Sequence, residues 1–168
     1  MQINVSQLLK ATTGTTREYE VDETGDEGDA GIPLKGMVHL TRTPRGILVK
    51  AKLDTMIDLN CSRCLTKFRH PLRLDFEEEY IPVLDVSTGI RLAPPGEPGT
   101  FTIDANHILD LAEAARQYTV MAAPMKPLCH RECAGLCPGC GKDFNQETCN
   151  CQPAEVDPRW AKLSGLKK

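Results

Sequence analysis

The clearest hydrophobic pattern in the chain is a run of alternating residues between positions 47 and 60. Apolar or small side chains occupy every second position, and most positions between them are charged or polar. A period of two predicts a β-strand with one buried face and one solvated face. The predicted buried face comprises Ile47, Val49, Ala51, Leu53, Thr55, Ile57 and Leu59.

A second alternating run follows a short turn that contains two cysteines. Phe68, Leu72, Leu74 and Phe76 share one side of this run, which predicts a strand returning beside the first. Pro71 falls inside it and lacks an N–H, so this strand is expected at a sheet edge or with a bulge. Weaker strand patterns cover residues 17–21 and 34–41, and residues 43–46 have turn chemistry.

Helical spacing occurs at three places along the chain. Ser6 is expected to cap a short helix containing Leu8 and Leu9. Apolar residues at helical spacing predict a longer helix, with Asp104 or Asn106 as its cap and its end before Pro124. A short terminal helix is predicted from Asp157-Pro158, with Trp160 and Leu163 one turn apart. The apolar stripe of the longer helix comprises Ile108, Leu111, Ala112, Ala115 and Thr119.

These elements predict an α+β fold in which an antiparallel β-sheet meander is packed by one central helix. A cysteine-rich zinc-knuckle segment and the short terminal helix follow. Residues 1–128 are predicted to form the sheet-and-helix core, and residues 129–168 the zinc-binding segment and C-terminal helix of the same domain. A chain of 168 residues is long enough for such a core. Residues 22–31 and 82–103 are predicted loops.

Charge is segregated along the chain, although the net charge is only −3. Residues 1–34 and 74–125 are acidic, whereas residues 35–73 carry nine Lys or Arg against two Asp or Glu. A basic segment between acidic ones is typical of a face that meets phosphates. The alternative is that basic and acidic strands lie side by side, since cross-strand pairs of opposite charge are favourable.

The cysteine content is the feature of the composition that says most about the chemistry of the chain. No signal peptide or membrane-spanning run is visible, so the chain is expected in the cytoplasm, where thiols stay reduced. Eight cysteines in such a compartment are more often metal ligands than disulfide partners. The run Cys137-Pro138-Gly139-Cys140-Gly141 is typical of a zinc knuckle, with glycine permitting the positive φ that closes the turn.

Eight thiols are enough for two four-cysteine zinc sites, and two partitions are open. In the preferred one, Cys61, Cys64, Cys129 and Cys133 form site 1, and Cys137, Cys140, Cys149 and Cys151 form site 2. In the rival, one site draws on Cys129, Cys133, Cys137 and Cys140. Cys61 and Cys64 are then free or joined to Cys149 and Cys151. His130 is a substitute ligand in principle but is expected to be solvated.

An enzyme is not expected. A thioredoxin-like pair at Cys61 and Cys64 would need a helix N-terminus after it, whereas the pattern places a strand there. No histidine among His39, His70, His107 and His130 is placed to form a catalytic dyad with a cysteine. The remaining enzyme class, a zinc hydrolase, needs an open coordination position that four thiolates do not leave.

The combination of motifs resembles a known family. Cys61-Ser62-Arg63-Cys64-Leu65 with Phe68-Arg69-His70 is similar to the CxRCL signature of the YceD family, the large ribosomal RNA subunit accumulation proteins. Further similarities are Ile108-Leu109-Asp110-Leu111, the segment 133–141 and the ending 157–163. The resemblance spans about residue 33 to the C-terminus. It implies a non-enzymatic role in 23S rRNA accumulation and large-subunit assembly.

The expected partner is therefore large-subunit rRNA, a pre-ribosomal particle or an assembly protein. Arg63, Lys67, Arg69 and Arg73 form the predicted RNA-facing patch, although stacking aromatics are scarce. The alternative function is a zinc-ribbon module that binds another protein, for example in transcription. Neither a membrane nor a small-molecule substrate is expected.

Overall fold

The computed structural model describes residues 1–23, 33–93, 99–151 and Arg159. The chain divides into two compact units. The first unit comprises Met1–Leu59 and Arg69–Met125, and the second comprises Asn60–Phe68 and Lys126–Lys168. The predicted boundary after residue 128 stays a prediction.

Among the described residues, seven strands form one sheet in the order β1-β7-β6-β5-β4-β3-β2. The helices are few and short. The strands are β1 (Gln2–Asn4), β2 (Thr16–Glu23), β3 (Leu34–Arg42), β4 (Ile47–Asn60), β5 (Lys67–Pro82), β6 (Thr102–Ile103) and β7 (Ile108–Asp110), and the helices are α1 (Ser6–Leu9) and α2 (Ala112–Ala122).

The alternating pattern of β4 is confirmed. Its inward positions are buried from Ile47 through Thr55, and the positions between them are exposed or half-buried. On the outer face, β4 and β5 exchange the ion pairs Lys50–Glu77 (3.0 Å) and Asp54–Arg73 (3.1 Å). Residue numbers rise on one strand as they fall on the other, which is the antiparallel register. Cross-strand neutralisation of charge therefore occurs in this sheet.

The expected antiparallel meander is only partly right, because the sheet is mixed. β6 runs parallel to β5, with Ile81 opposite Thr102 and Pro82 opposite Ile103. β7 then pairs antiparallel with both β6 and β1. Parallel neighbours need a connection of about a dozen residues or more, and the proline-rich stretch 83–101 supplies that length.

The predicted central helix begins later than expected. Ile108–Asp110 is strand β7, and helix α2 starts at Ala112, whose N–H donates to the Asp110 carboxylate at 2.8 Å. The carboxylate of Asp104 instead accepts the N–H of Ile108 at 2.7 Å and shapes the turn before β7. The helix ends before Pro124, as predicted.

Of the two short helices predicted near the ends of the chain, one lies within the described residues. In α1, Ser6 is the first helical residue rather than its cap, and its hydroxyl donates to the Asn4 side chain at 2.7 Å. The predicted terminal helix after Asp157, with Trp160 and Leu163, lies outside the described residues.

The core of the first unit lies on the inner face of the sheet. Residues of α1 and α2 cover it, and Tyr118 of α2 stacks on Phe76 of β5 with ring centroids 4.5 Å apart. No helix in the described part of the chain is long and apolar enough to cross a membrane. The largest fully buried side chains are Tyr80, Leu8, Leu40, Ile47, Leu53, Leu74, Ile103, Leu109, Leu111, Val5, Val38 and Val49.

Candidate metal centres

Four thiols of the second unit converge in a first cluster, site 1, formed by Cys61, Cys64, Cys129 and Cys133. All four sulfurs lie within 4.8 Å of one another. Cys61 Sγ is 3.7 Å from Cys133 Sγ, and Cys64 Sγ is 3.6 Å from Cys129 Sγ. A tetrahedral zinc ion with bonds of about 2.3 Å holds its sulfurs about 3.8 Å apart. The donor set and its spacing therefore fit zinc.

The remaining four thiols form site 2, which comprises Cys137, Cys140, Cys149 and Cys151. Cys149 Sγ lies 3.3 Å from Cys137 Sγ. All eight cysteines are free thiols. The structure thus brings the thiols together in the groups of the preferred partition, and binding of a metal ion by them stays a prediction.

The knuckle of site 2 has the turn geometry that its sequence predicts. The N–H of Gly139 points at Cys137 Sγ at 3.4 Å, and the N–H of Gly141 donates to the Cys137 carbonyl at 2.9 Å. Gly141 has φ +74°, a left-handed conformation that favours glycine. The tight turn aims both cysteine side chains at one point.

The knuckle of site 1 repeats this geometry without a glycine. The N–H of Arg63 points at Cys61 Sγ at 3.4 Å, and the N–H of Leu65 donates to the Cys61 carbonyl at 3.0 Å. Leu65 has φ +61° and a side chain that is 65% exposed. A left-handed conformation costs a residue with a Cβ roughly 1–2 kcal/mol, so the surrounding contacts must hold this turn.

Backbone and side-chain hydrogen bonds hold the site 1 turn against the C-terminal segment. Ser62 N–H donates to the Pro127 carbonyl at 2.8 Å, and the Arg63 guanidinium donates to the Cys133 carbonyl at 2.7 Å. A Cβ on Gly135, which has φ +79°, would lie 3.2 Å from the Arg63 Cβ. Side chains of Phe68, Leu128 and Leu136 pack against the cluster.

Asn145 contacts site 1, although no pattern in the sequence predicts this contact. It lies between two site 2 cysteines in sequence, yet its amide nitrogen donates to Cys133 Sγ of site 1 at 3.3 Å. Its carbonyl oxygen accepts the Ala134 N–H at 2.8 Å. Such donors orient metal-bound thiolates. No spacing rule marks an asparagine for this role, so only the fold could show it.

The pKa values of the thiols differ within each cluster. The backbone N–H of Cys64 lowers the Cys61 pKa to about 6, and that of Cys140, with Gly139, lowers the Cys137 pKa to about 6. Burial and the Cys64 thiol raise the Cys129 pKa to about 12, and a hydrogen bond with the Cys140 thiol raises the Cys151 pKa to about 12. The backbone therefore favours the thiolate form of one cysteine in each cluster.

Two residues of the predicted RNA patch belong to the first unit and are ion-paired there. Arg73 lies 3.1 Å from Asp54, and Arg69 lies 3.9 Å from Asp58. All four side chains are largely exposed.

The other two belong to the second unit. The Arg63 guanidinium donates a hydrogen bond to the Cys133 carbonyl, and Lys67 is exposed. His130, the substitute ligand, is exposed with Nδ1 3.1 Å from Cys129 Sγ. The assignment of these residues to RNA contact stays a prediction.

Comparisons with known proteins agree with the motifs. A family model described as "Large ribosomal RNA subunit accumulation protein YceD" matches residues 49–167. Uncharacterized protein Rv2926c of Mycobacterium tuberculosis and uncharacterized protein Mb2951c of Mycobacterium bovis are each 26% identical over 135 residues, 80% of this chain. The chain spans 62% of the length of these relatives. No solved structure matches significantly. Because the family model covers most of its length, the chain belongs to the YceD family of large ribosomal RNA subunit accumulation proteins.

Proposed function

We propose that this chain is a non-enzymatic ribosome biogenesis factor that promotes 23S rRNA accumulation and large-subunit assembly in the cytoplasm. It holds two structural zinc ions and acts on neither a membrane nor a small-molecule substrate. The observation that carries the proposal is the family match over residues 49–167, which coincides with the segment that contains both four-thiol clusters.

Each zinc ion has a structural role in this proposal. Four thiolates complete the tetrahedron of a zinc ion and leave no position for a catalytic water. Cys61 and Cys133 of site 1 are fully buried. These features support a scaffold that fixes the second unit rather than a hydrolytic centre.

The sheet core and the cysteine-rich segment are proposed to act together as one domain, with the core in residues 1–128 and the metal segment in residues 129–168. The turn at Cys61–Cys64 supports this arrangement, because it lies between two strands in sequence while its thiols join those of Cys129 and Cys133. Metal loading at site 1 therefore links distant parts of the chain.

The RNA contact is proposed at Arg63, Lys67, Arg69 and Arg73. Phosphate neutralisation by exposed Lys and Arg is the general source of RNA affinity, and it weakens steeply with salt. The ion pairs of Arg69 and Arg73 are exposed, and such pairs contribute little, so phosphates can replace the carboxylates.

The test uses both cells and purified protein. Depletion of the protein is expected to lower 23S rRNA relative to 16S rRNA, and the zinc-loaded protein is expected to bind 23S rRNA or precursor particles with strong salt dependence. The triple variant Lys67→Ala, Arg69→Ala and Arg73→Ala weakens binding. The control Lys10→Ala, Arg17→Ala and Arg91→Ala removes the same charge elsewhere and leaves binding nearly intact. Unchanged 23S rRNA after depletion would contradict the proposal.

A second candidate is a zinc-ribbon module that binds a protein, for example one associated with transcription. The net charge of −3 and the carboxylates paired with Arg69 and Arg73 favour it, because both oppose phosphate binding. Recovery of RNA polymerase rather than ribosomal components from cells, with unchanged rRNA levels, would favour this candidate.

A further inference from the structure

Strand β2 is the terminal strand of the sheet. It pairs with β3 from Thr16 to Glu23 in continuous antiparallel register, and in the sheet order it has no strand on its other side among the described residues. A terminal strand of eight residues presents a row of unused backbone donors and acceptors. Such an edge can accept one further strand.

The hydrogen-bond pattern shows which residues face this free edge. The Arg42 N–H donates to the Thr15 carbonyl at 2.8 Å, and the register places Thr16 opposite Thr41. Bonding alternates along an antiparallel pair, so the odd-numbered residues of β2 bond to β3. The N–H and C=O groups of the even-numbered residues point away from β3, toward the free edge of the sheet. These residues are Thr16, Glu18, Glu20 and Asp22.

Three of these four outward-facing residues are acidic and exposed. Glu18 lies 3.2 Å from His39, and Asp22 lies 3.1 Å from Lys35. Both pairs are solvent-exposed and therefore weak. Glu20 stands opposite Met37, whose side chain is 37% exposed. The edge thus combines free backbone groups with a row of carboxylates and one apolar neighbour.

The acidic side chains along β2 determine which kind of chain can pair with this edge. A second copy pairing through β2 would place carboxylates against carboxylates, and like charges directly opposite are destabilising. RNA phosphates are repelled for the same reason. A strand rich in Lys or Arg has neither problem, because its cations form cross-strand pairs with the carboxylates.

We propose that the free edge of β2 binds an extended, Lys- or Arg-rich peptide segment of a protein partner as an eighth strand. The backbone groups of the even-numbered residues supply the ladder, and Glu18, Glu20 and Asp22 supply the charge selection. This inference goes beyond the proposed function and does not rest on it, since it is read on purified protein without rRNA.

The probe is a ten-residue synthetic peptide of alternating Lys and Val, studied with the zinc-loaded full chain. In the free protein, amides of Arg17, Tyr19 and Val21 are expected to exchange slowly with solvent, and those of Glu18 and Glu20 are expected to exchange fast. Adding the peptide slows exchange at Glu18, Glu20 and Asp22. A peptide N-methylated at every second residue keeps its charge but loses ladder donors, and it binds at least about tenfold more weakly.

Matched variants distinguish peptide binding at the β2 edge from attraction to the net charge of the protein. The triple variant Glu18→Lys, Glu20→Lys and Asp22→Lys weakens peptide binding by about tenfold or more. The control Asp58→Lys, Asp75→Lys and Glu77→Lys makes the same change in net charge on β4 and β5 and has a much smaller effect. Slow exchange at Arg17, Tyr19 and Val21 verifies that β2 stays folded in both.

Four results would overturn the inference. The even-numbered amides of β2 remain unprotected with saturating peptide, or the N-methylated peptide binds as well as the parent, or both triple variants lose binding equally. Protection of the same amides by a single-stranded RNA oligonucleotide instead of the peptide would also overturn it. None of these results bears on 23S rRNA levels, so the proposed function is judged separately.

Discussion

At the scale of single residues, Asn145 contacts the candidate metal centre from outside its set of four cysteines. Its amide touches Cys133 Sγ, and its carbonyl holds the Ala134 N–H. We expect Asn145→Ala to weaken zinc binding at site 1 by about 10–100-fold, because outer donors orient ligands and stabilise their charge. Competition with a chromogenic chelator measures this. The neighbouring exposed residue gives the control Gln146→Ala, and equal affinities in both variants would refute the role.

Zinc stoichiometry tests the partition of the thiols. Elemental analysis of the intact protein is expected to give two zinc ions per chain, falling to one in Cys61→Ser/Cys64→Ser, because thiolates are the ligands that complete each tetrahedron. The matched variant Cys140→Ser/Cys151→Ser also retains one. Two ions in the first variant would exclude these cysteines from metal binding.

The thiol pKa values set the pH dependence of zinc affinity. At pH 7 the Cys61 and Cys137 thiols, with pKa values of about 6, are already ionised, whereas those of Cys129 and Cys151, with pKa values of about 12, are protonated. Zinc must displace the remaining protons, so affinity rises with pH. Below pH 6 one more proton per site competes, and the affinity falls more steeply. Titration with a fluorescent zinc indicator from about pH 5 to 8 measures the slope, and a constant slope would contradict the assignment.

At the scale of elements, the sequence predicts the long strands well and the short ones poorly. β4 alternates over its whole length, so its buried face is readable from one stretch of sequence. β7 has three residues, and its Ile108-Leu109-Asp110 run fits a helical stripe equally well. It pairs with Gln2–Asn4, which is far away in sequence, and no local period can report such a pairing.

In the candidate metal centres, too, features local in sequence are predictable and long-range contacts are not. The Cys137 and Cys140 knuckle is local and is predicted by spacing, whereas the grouping of Cys61 and Cys64 with Cys129 and Cys133 came only from counting the thiols left over. The left-handed Leu65 has no signal in its residue type. Contacts made by tertiary packing lie beyond pattern analysis.

Pro71 has a position in β5 that explains why a proline is tolerated there. The Ile81 N–H donates to the Phe101 carbonyl, on the side of β5 away from β4. Odd-numbered residues of β5 therefore direct their backbone groups away from β4, and Pro71 is one of them. Its missing N–H costs the β4–β5 ladder nothing.

Gly36 marks the close approach of β3 to β4. A Cβ at this position would lie 2.1 Å from the Lys52 carbonyl oxygen, a backbone atom that cannot move freely. We expect Gly36→Ala to lower the free energy of unfolding by about 1–3 kcal/mol through overpacking. Urea denaturation measures it, and Met37→Ala on the next, exposed position is the control. Equal midpoints for the two variants would contradict the close approach.

At the scale of the whole molecule, the two units differ in what stabilises them. The first unit contains a continuous apolar core on the sheet. The described apolar cluster of the second unit is small and is built around Cys61, Cys64 and Cys133 themselves. Many small metal-binding domains fold only when the metal is bound.

Metal removal is therefore expected to act on one unit selectively. A strong chelator should abolish slow amide exchange at residues 133–145 and leave Val49, Ala51 and Leu53 protected, because apolar burial holds those strands. Hydrogen exchange with and without zinc measures this. Parallel loss of protection in both regions would show that the sheet also depends on metal.

The reach of Asn145 from one cluster to the other limits how the C-terminal segment can be used on its own. A peptide covering residues 137–151 retains the four thiols of site 2, but its Asn145 has no Cys133 to contact. A chimera that contains site 1 without residues 137–151 lacks the amide that donates to Cys133 Sγ. Shortening the segment between Cys140 and Cys149 would also disturb site 1, because this segment contains Asn145. Transfer of site 1 to another protein would therefore have to include the segment that contains Asn145.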